Sequence, residues 1–126
     1  MNNLKYTQIK LNMKRLYLDD IKTPINPEWI VARNYDEFVK IVNKKGLENF
    51  DIISLDHDLG ESHDGMDCAL FLINKCLDLD IQLPQIFVHS ENTVGGENII
   101  KLINNWHKFN DLDQKCELVK IPFKEL

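Results

Sequence analysis

The segment Ile52-Ile53-Ser54-Leu55 runs without a break into Asp56-His57-Asp58 and then Leu59-Gly60. Mostly apolar, strand-favouring residues that end on three titratable side chains and a glycine describe a buried strand stopping at the rim of an open sheet. Two other stretches repeat the design: Leu16-Tyr17-Leu18 meets Asp19-Asp20, and Ile86-Phe87-Val88 meets His89-Ser90. In a parallel α/β sheet, ligands bind outside the carboxyl ends of the strands, so three such tips can converge on one crevice although they are far apart in sequence. This pattern predicts both a fold class and the place of a site.

Between these tips, strand and helix signals alternate. Trp29 to Arg33 reads as a strand. Asn34 caps a helix from Tyr35, with Glu37 in the capping-box position, a stripe of Tyr35, Phe38, Val39 and Val42, and a stop at Lys44-Lys45-Gly46. Asp64 is placed to cap a second helix whose buried stripe is Ala69, Leu72, Ile73 and Cys76. A loop from Ser90 to Gly96 leads into a third helix with Ile99, Leu102, Ile103 and Trp106 on its apolar face, and a last strand spans Glu117 to Ile121 before Pro122. Pro24 and Pro27 rule out a regular helix after the first strand, so a loop is expected there. The alternation predicts an α/β three-layer sandwich with a mostly parallel five-stranded sheet and right-handed crossovers. Residues 1–13 read as an N-terminal arm or edge segment, ahead of a single domain over residues 14–126.

A chain of 126 residues with 44% hydrophobic content is the size of one domain with one core. No apolar run approaches the roughly 18 to 20 residues of a membrane span, and no signal peptide is visible, so a cytoplasmic location is expected. Cys68, Cys76 and Cys116 form no C-x-x-C pair and read as buried thiols. The net charge of −5 disfavours non-specific DNA binding.

The acidic pair Asp19-Asp20 and the tip residue Asp56 bring three carboxylates together. Their repulsion is costly unless a cation neutralises them or one stays protonated, and Mg²⁺, with Mn²⁺ as the alternative, suits such an oxygen-rich set. The competing reading makes Asp19-Asp20 a turn cap on a solvated surface. His57 and His89, at separate strand tips, can act as acid and base, with Asp58 and Asp56 able to orient a ring and stabilise imidazolium. His63 and His107 read as loop and helix-surface residues. Thr93-Val94-Gly95-Gly96-Glu97-Asn98 opens a helix with two glycines, whose free N–H groups suit an anion, or else forms an ordinary loop-to-helix turn. With Ser90, Asn92 and Asn98 nearby, Gly95 and Gly96 make the candidate phosphate cradle, and Glu97 is a supporting residue.

The acidic pair after the first strand, Asp56 at the central tip and Ser90 at the next tip resemble the phosphorylation site of response-regulator receiver domains. That resemblance implies a phosphoacceptor at Asp56, Mg²⁺ ligands at Asp19 and Asp20, and a switch hydroxyl at Ser90. The segments Leu16–Asp20, Asp56–Gly60, Gly65–Ala69 and His89–Ile99 together are closer to a divergent branch, the cyclic-phosphate processing receiver-like family. This resemblance covers residues 16 to about 109. It implies action on cyclic phosphates, often in nucleotide-based conflict systems of microbes and their viruses. Two departures from ordinary receivers stand out: Ile121, rather than a lysine, precedes Pro122, with Lys120 and Lys124 nearby, and prolines occupy the place of the first helix.

The resulting expectation is a metal-dependent phosphoesterase-like domain that processes a cyclic phosphate on a small nucleotide. Asp19, Asp20 and Asp56 hold the metal, while His57 and His89 act on opposite sides of phosphorus, their acid and base roles unassigned. The alternatives are a signalling receiver phosphorylated on Asp56 and a non-catalytic cyclic-nucleotide binder.

Overall fold

The structure is a computed structural model and describes residues 13–119. The order of elements is β1 (Arg15–Leu18), β2 (Ile30–Ala32), α1 (Tyr35–Lys45), a short 3-10 turn (Leu47–Asn49), β3 (Ile52–Leu55), α2 (Gly65–Leu79), β4 (Gln85–Val88), α3 (Thr93–Phe109) and β5 (Glu117–Leu118). All strand pairs are parallel, in the order β2-β1-β3-β4-β5. This is the receiver-like α/β arrangement expected from the alternation of strands and helices. Strand order reverses between β1 and β3, the switch point outside which such sheets bind ligands.

The strand pleat divides the interior into two unequal clusters. Leu16 and Leu18 of β1, Ile53 and Leu55 of β3, and Ile86 and Val88 of β4 face the helices, meeting Phe38 and Val42 of α1, Leu72 and Cys76 of α2, and Ile99 and Ile103 of α3. The opposite face carries Tyr17, Trp29 and Ile52, with Met13, Val31 and Phe87 packed beside them. Among the described residues, the helices therefore share one face of the sheet. The connection from β1 to β2, which holds Pro24 and Pro27, contains no helix.

Local signals account for the helix boundaries. Asn34 accepts from the Glu37 N–H, although the Glu37 carboxylate takes the N–H of Arg33 rather than that of the cap. Asp64 and Asp67 form a reciprocal capping box at the start of α2. The helix α3 begins earlier than the glycines indicate, because the Asn92 side chain caps it by accepting from Gly95 N–H.

Cys68, Cys76 and Cys116 are free and buried, and burial pushes the Cys76 thiol up to about 11 and the Cys116 thiol to about 12. His107 corrects the expectation of a surface position: it is 1% exposed, at the buried side of α3, where neither ring nitrogen has a hydrogen-bond partner among the described residues. Burial alone lowers its pKa. The expected N-terminal arm lies outside the described residues except for Met13. The end of the last expected strand, with Lys120, Ile121, Pro122 and Lys124, lies outside them too. No helix among the described residues is long and apolar enough to cross a membrane.

Candidate metal and phosphate site

Three strands stop level with one another because the ladder runs one hydrogen bond past each of them. Asp19 N–H donates to the Ala32 carbonyl, Asp56 N–H to Leu18 and His89 N–H to Leu55, at 3.0 to 3.1 Å. The tips surround a crevice of about 220 Å³ lined by Asp19, Asp20, Ile21, Lys22, Asp56, Asp58, His89, Ser90, Glu91 and Asn92. Asp19, Asp20 and Asp56 each offer a ligand atom within 4.8 Å of the others, a spacing that could hold a divalent cation. The acidic cluster expected from two separate segments is thus assembled.

Asp19 and Asp56 are held differently. Asp19 is 3% exposed. Its Oδ1 accepts from the N–H groups of Ile21 (2.9 Å) and Lys22 (2.7 Å), and its Oδ2 accepts from His89 Nε2 (3.1 Å). Burial works to raise the Asp19 carboxyl, but these hydrogen bonds and the His89 charge outweigh it and hold the group below the ordinary carboxylate range. Asp56 lies the other way: burial, then the negative charge of Asp19, push its carboxyl up despite hydrogen bonds from Ser90 and the His57 backbone. Relief of that electrostatic load is what a divalent cation supplies, so the donor set fits the expected ion.

Both ring nitrogens of His89 are engaged. Nε2 donates to Asp19, and Nδ1 lies 2.6 Å from Ser54 Oγ, whose hydroxyl donates to it when the ring is neutral. The ring stacks on Tyr17 with centroids 4.2 Å apart and planes 6° from parallel. Its side chain is fully buried, yet it reaches the wall of the crevice through Asp19.

His57 occupies a different setting. Its side chain is 19% exposed. Nδ1 donates to Asp58 Oδ1 at 2.7 Å, and Nε2 lies 3.5 Å from Asp64 Oδ2. Hydrogen bonds from His57 and then Asn92 hold the Asp58 carboxyl low. The ring lies against the first turn of α3, where a Cβ added at Gly95 would come within 2.5 to 2.7 Å of three of its atoms. Gly95 thus makes room for the imidazole. A second close approach is at Gly65, where a Cβ would meet the Asp56 carbonyl oxygen at 1.9 Å, locking the start of α2 against the β3 tip.

Of the expected anion-binding residues, Ser90 and Asn92 line the crevice. The Gly95 N–H is taken by Asn92 Oδ1 and the Gly96 N–H by the Asn92 carbonyl, with both glycines buried. Glu97 and Asn98 are exposed on α3. The residues that sequence reading passed over are Ser54, Tyr17, Lys22 and Arg33. For the first two a signal existed: Tyr17 and Asp19, Ser54 and Asp56, and Phe87 and His89 are each two apart, so each pair shares the sheet face opposite the helices.

No curated protein and no solved structure matches the chain. A family model does: that of the cyclic-phosphate processing receiver domain, over residues 14–105, a span that holds the strand-tip residues from Asp19 to Ser90. With its parallel 2-1-3-4-5 sheet and its acidic triad at the strand tips, the chain belongs to the cyclic-phosphate processing receiver domain family.

Proposed function

We propose that the crevice holds a divalent cation on Asp19, Asp20 and Asp56 and there hydrolyses a cyclic phosphate ester, with a cyclic nucleotide as the substrate class. The observation that carries this reading is the convergence of three carboxylates at strand tips in a chain of this family. Mg²⁺ is the first choice and Mn²⁺ the second, since both accept carboxylate oxygens. Such an ion supplies Lewis-acid polarisation of a phosphoryl oxygen.

The side chains divide the remaining work. His89 fixes the Asp19 carboxylate from behind, so its part is to position a ligand group rather than to meet substrate. His57, 19% exposed and next to the crevice-lining Asp58, is the more open of the two histidines, and Asp58 orients its ring for proton transfer. Ser90 and Asn92 offer a hydroxyl and an amide to the phosphate. Asp56 as a phosphoacceptor has less support, because Ile121 stands where receivers carry a lysine.

The engagement of the ring nitrogens of His57 and His89 favours a second reading, in which the site binds a cyclic phosphate without turnover. One screen separates the two. Cyclic mononucleotides, 2′,3′-cyclic phosphates and cyclic oligonucleotides are incubated with the protein and Mg²⁺ or Mn²⁺, then followed by mass spectrometry and thermal shift. Gain of one water by a substrate supports hydrolysis. A thermal shift without product supports binding alone, and neither signal with any member of the panel contradicts both.

A further inference from the structure

Among the described residues, Lys22 contributes the one lysine or arginine side chain to a crevice otherwise rich in carboxylates, and its backbone is well fixed. Asp19 Oδ1 accepts its N–H, while Arg33 Nη1 donates to the carbonyls of Asp19 (3.2 Å) and Lys22 (2.6 Å) and Arg33 Nη2 donates to Thr23 Oγ1 (2.6 Å). The loop after β1 is therefore clamped from both sides. From it, Lys22 Nζ reaches Glu91 Oε1 at 2.6 Å, on the loop after β4. This contact spans the mouth of the crevice, and both residues also line a neighbouring cavity of about 370 Å³, so the ammonium has space on either side.

We propose that Lys22 is the residue that grips the phosphate of the bound ligand, and that Glu91 holds it in reserve by occupying its ammonium until an anion enters. This rests on the reading of the crevice as a metal and phosphate site. The Lys22 side chain is 45% exposed and that of Glu91 84%, and an exposed pair of this kind contributes little and is screened by salt. Once the acidic triad is neutralised, a phosphoryl oxygen therefore displaces this carboxylate at little cost, and inorganic phosphate or a ring-opened monoester, with more charge and more acceptor oxygens than Glu91, is favoured over it. The anchored backbone keeps the lysine within reach while its side chain turns. A cyclic phosphate diester brings one negative charge, and the monoester released from it up to two, to three carboxylates that already outweigh one divalent cation, so a cationic partner is needed.

The test is calorimetry with Mg²⁺ alone and with inorganic phosphate at saturating Mg²⁺, on the wild type, Lys22→Met, Glu91→Gln and the double variant. Mg²⁺ should bind Lys22→Met no more weakly than the wild type, because the loss of a positive charge cannot repel the ion. Phosphate should bind Lys22→Met about tenfold more weakly, the size of one lost charge-assisted hydrogen bond. Glu91→Gln should bind phosphate more tightly, and that gain should vanish in the Lys22→Met background. Equal phosphate affinity in the wild type and Lys22→Met overturns the proposal while leaving the metal site intact. A Glu91→Gln gain that persists without Lys22 also overturns it, by revealing a general charge effect. A wild type that binds Mg²⁺ but no phosphate overturns the grip, and one that binds neither overturns the reading of the crevice as well.

Discussion

At the tip of β4, His89 is buried between Ser54 and Asp19 and stacked on Tyr17; at the tip of β3, His57 lies over Gly95 with its nitrogens turned to Asp58 and Asp64. Both follow an apolar strand. The difference comes from one residue of phase. His89 is the first residue after β4 and still obeys its pleat, two past Phe87, so its side chain falls on the face opposite the helices. His57 is two residues past β3, where the chain has left the sheet to approach α2, and its ring swings to the helix side. A strand-tip histidine is thus a buried strut or a rim group according to whether the ladder still holds its backbone.

The strut should be the more costly to remove. His89→Ala leaves the Asp19 carboxylate buried without its imidazole partner and Ser54 without its acceptor, which predicts a loss of about 3 kcal/mol or more. For a domain of this size that is a drop in melting temperature of about 10 °C or more. Chemical denaturation of the variant checks it, and an unchanged midpoint would mean that the two histidines are equivalent after all.

Gly95→Ala probes the other tip. Alanine favours a helix over glycine by up to about 1 kcal/mol, but here its Cβ meets the His57 ring, at a cost of about 1 to 3 kcal/mol if the ring is held. Net destabilisation of about 1 kcal/mol is expected in the wild-type background. In a His57→Ala background the clash is gone and the same substitution should stabilise. A double-mutant cycle with no change of sign would show that the ring moves aside freely.

The smallest expected effect is that of His57→Ala alone. The variant should melt close to the wild type, because the side chain of its Asp58 partner is 66% exposed. Its signature is in titration: the Asp58 carboxyl, held low by His57 and Asn92, should rise toward its ordinary value near 3.8. The sign follows from linkage. With its folded pKa depressed, Asp58 contributes stability above the unfolded pKa, and that contribution is lost as pH falls through the folded value. Carboxyl NMR of both proteins reads the shift directly, and an unmoved Asp58 would deny the contact a role.

The parallel sheet and the meeting of Asp19, Asp20 and Asp56 were legible because apolar strands, capped amphipathic helices and polar tips agree with one another. Asn34 and Asp64 announced their helices correctly. What was hidden depends on geometry that residue type does not carry. The roles of Gly95 and Gly65 depend on how closely a ring and a carbonyl approach them, and a glycine pair before an apolar stripe reads equally well as an anion cradle. His107 looked like a surface residue because it follows Trp106 at the edge of the stripe, yet it is buried with no partner that its type would announce. Lys22 gave no signal, since its value lies in a clamp by Arg33 and a contact 69 residues away. Ser54 was the readable omission, a single polar residue inside an apolar strand and in phase with Asp56.

The central claim is that Asp19, Asp20 and Asp56 form one cation centre, and melting curves of the wild type and Asp56→Asn with and without Mg²⁺ test it most directly. Because burial and Asp19 raise the Asp56 carboxyl, its ionised form works against folding: the favourable protonated form is fully present at low pH and is lost as pH rises through the raised value. At neutral pH without metal, Asp56→Asn should therefore melt higher than the wild type. Added Mg²⁺ should raise the melting temperature of the wild type by mass action and leave that of the variant nearly unchanged, so that the two approach or cross. A wild type indifferent to both Mg²⁺ and Mn²⁺, or an equal rise in the two proteins, would contradict the account.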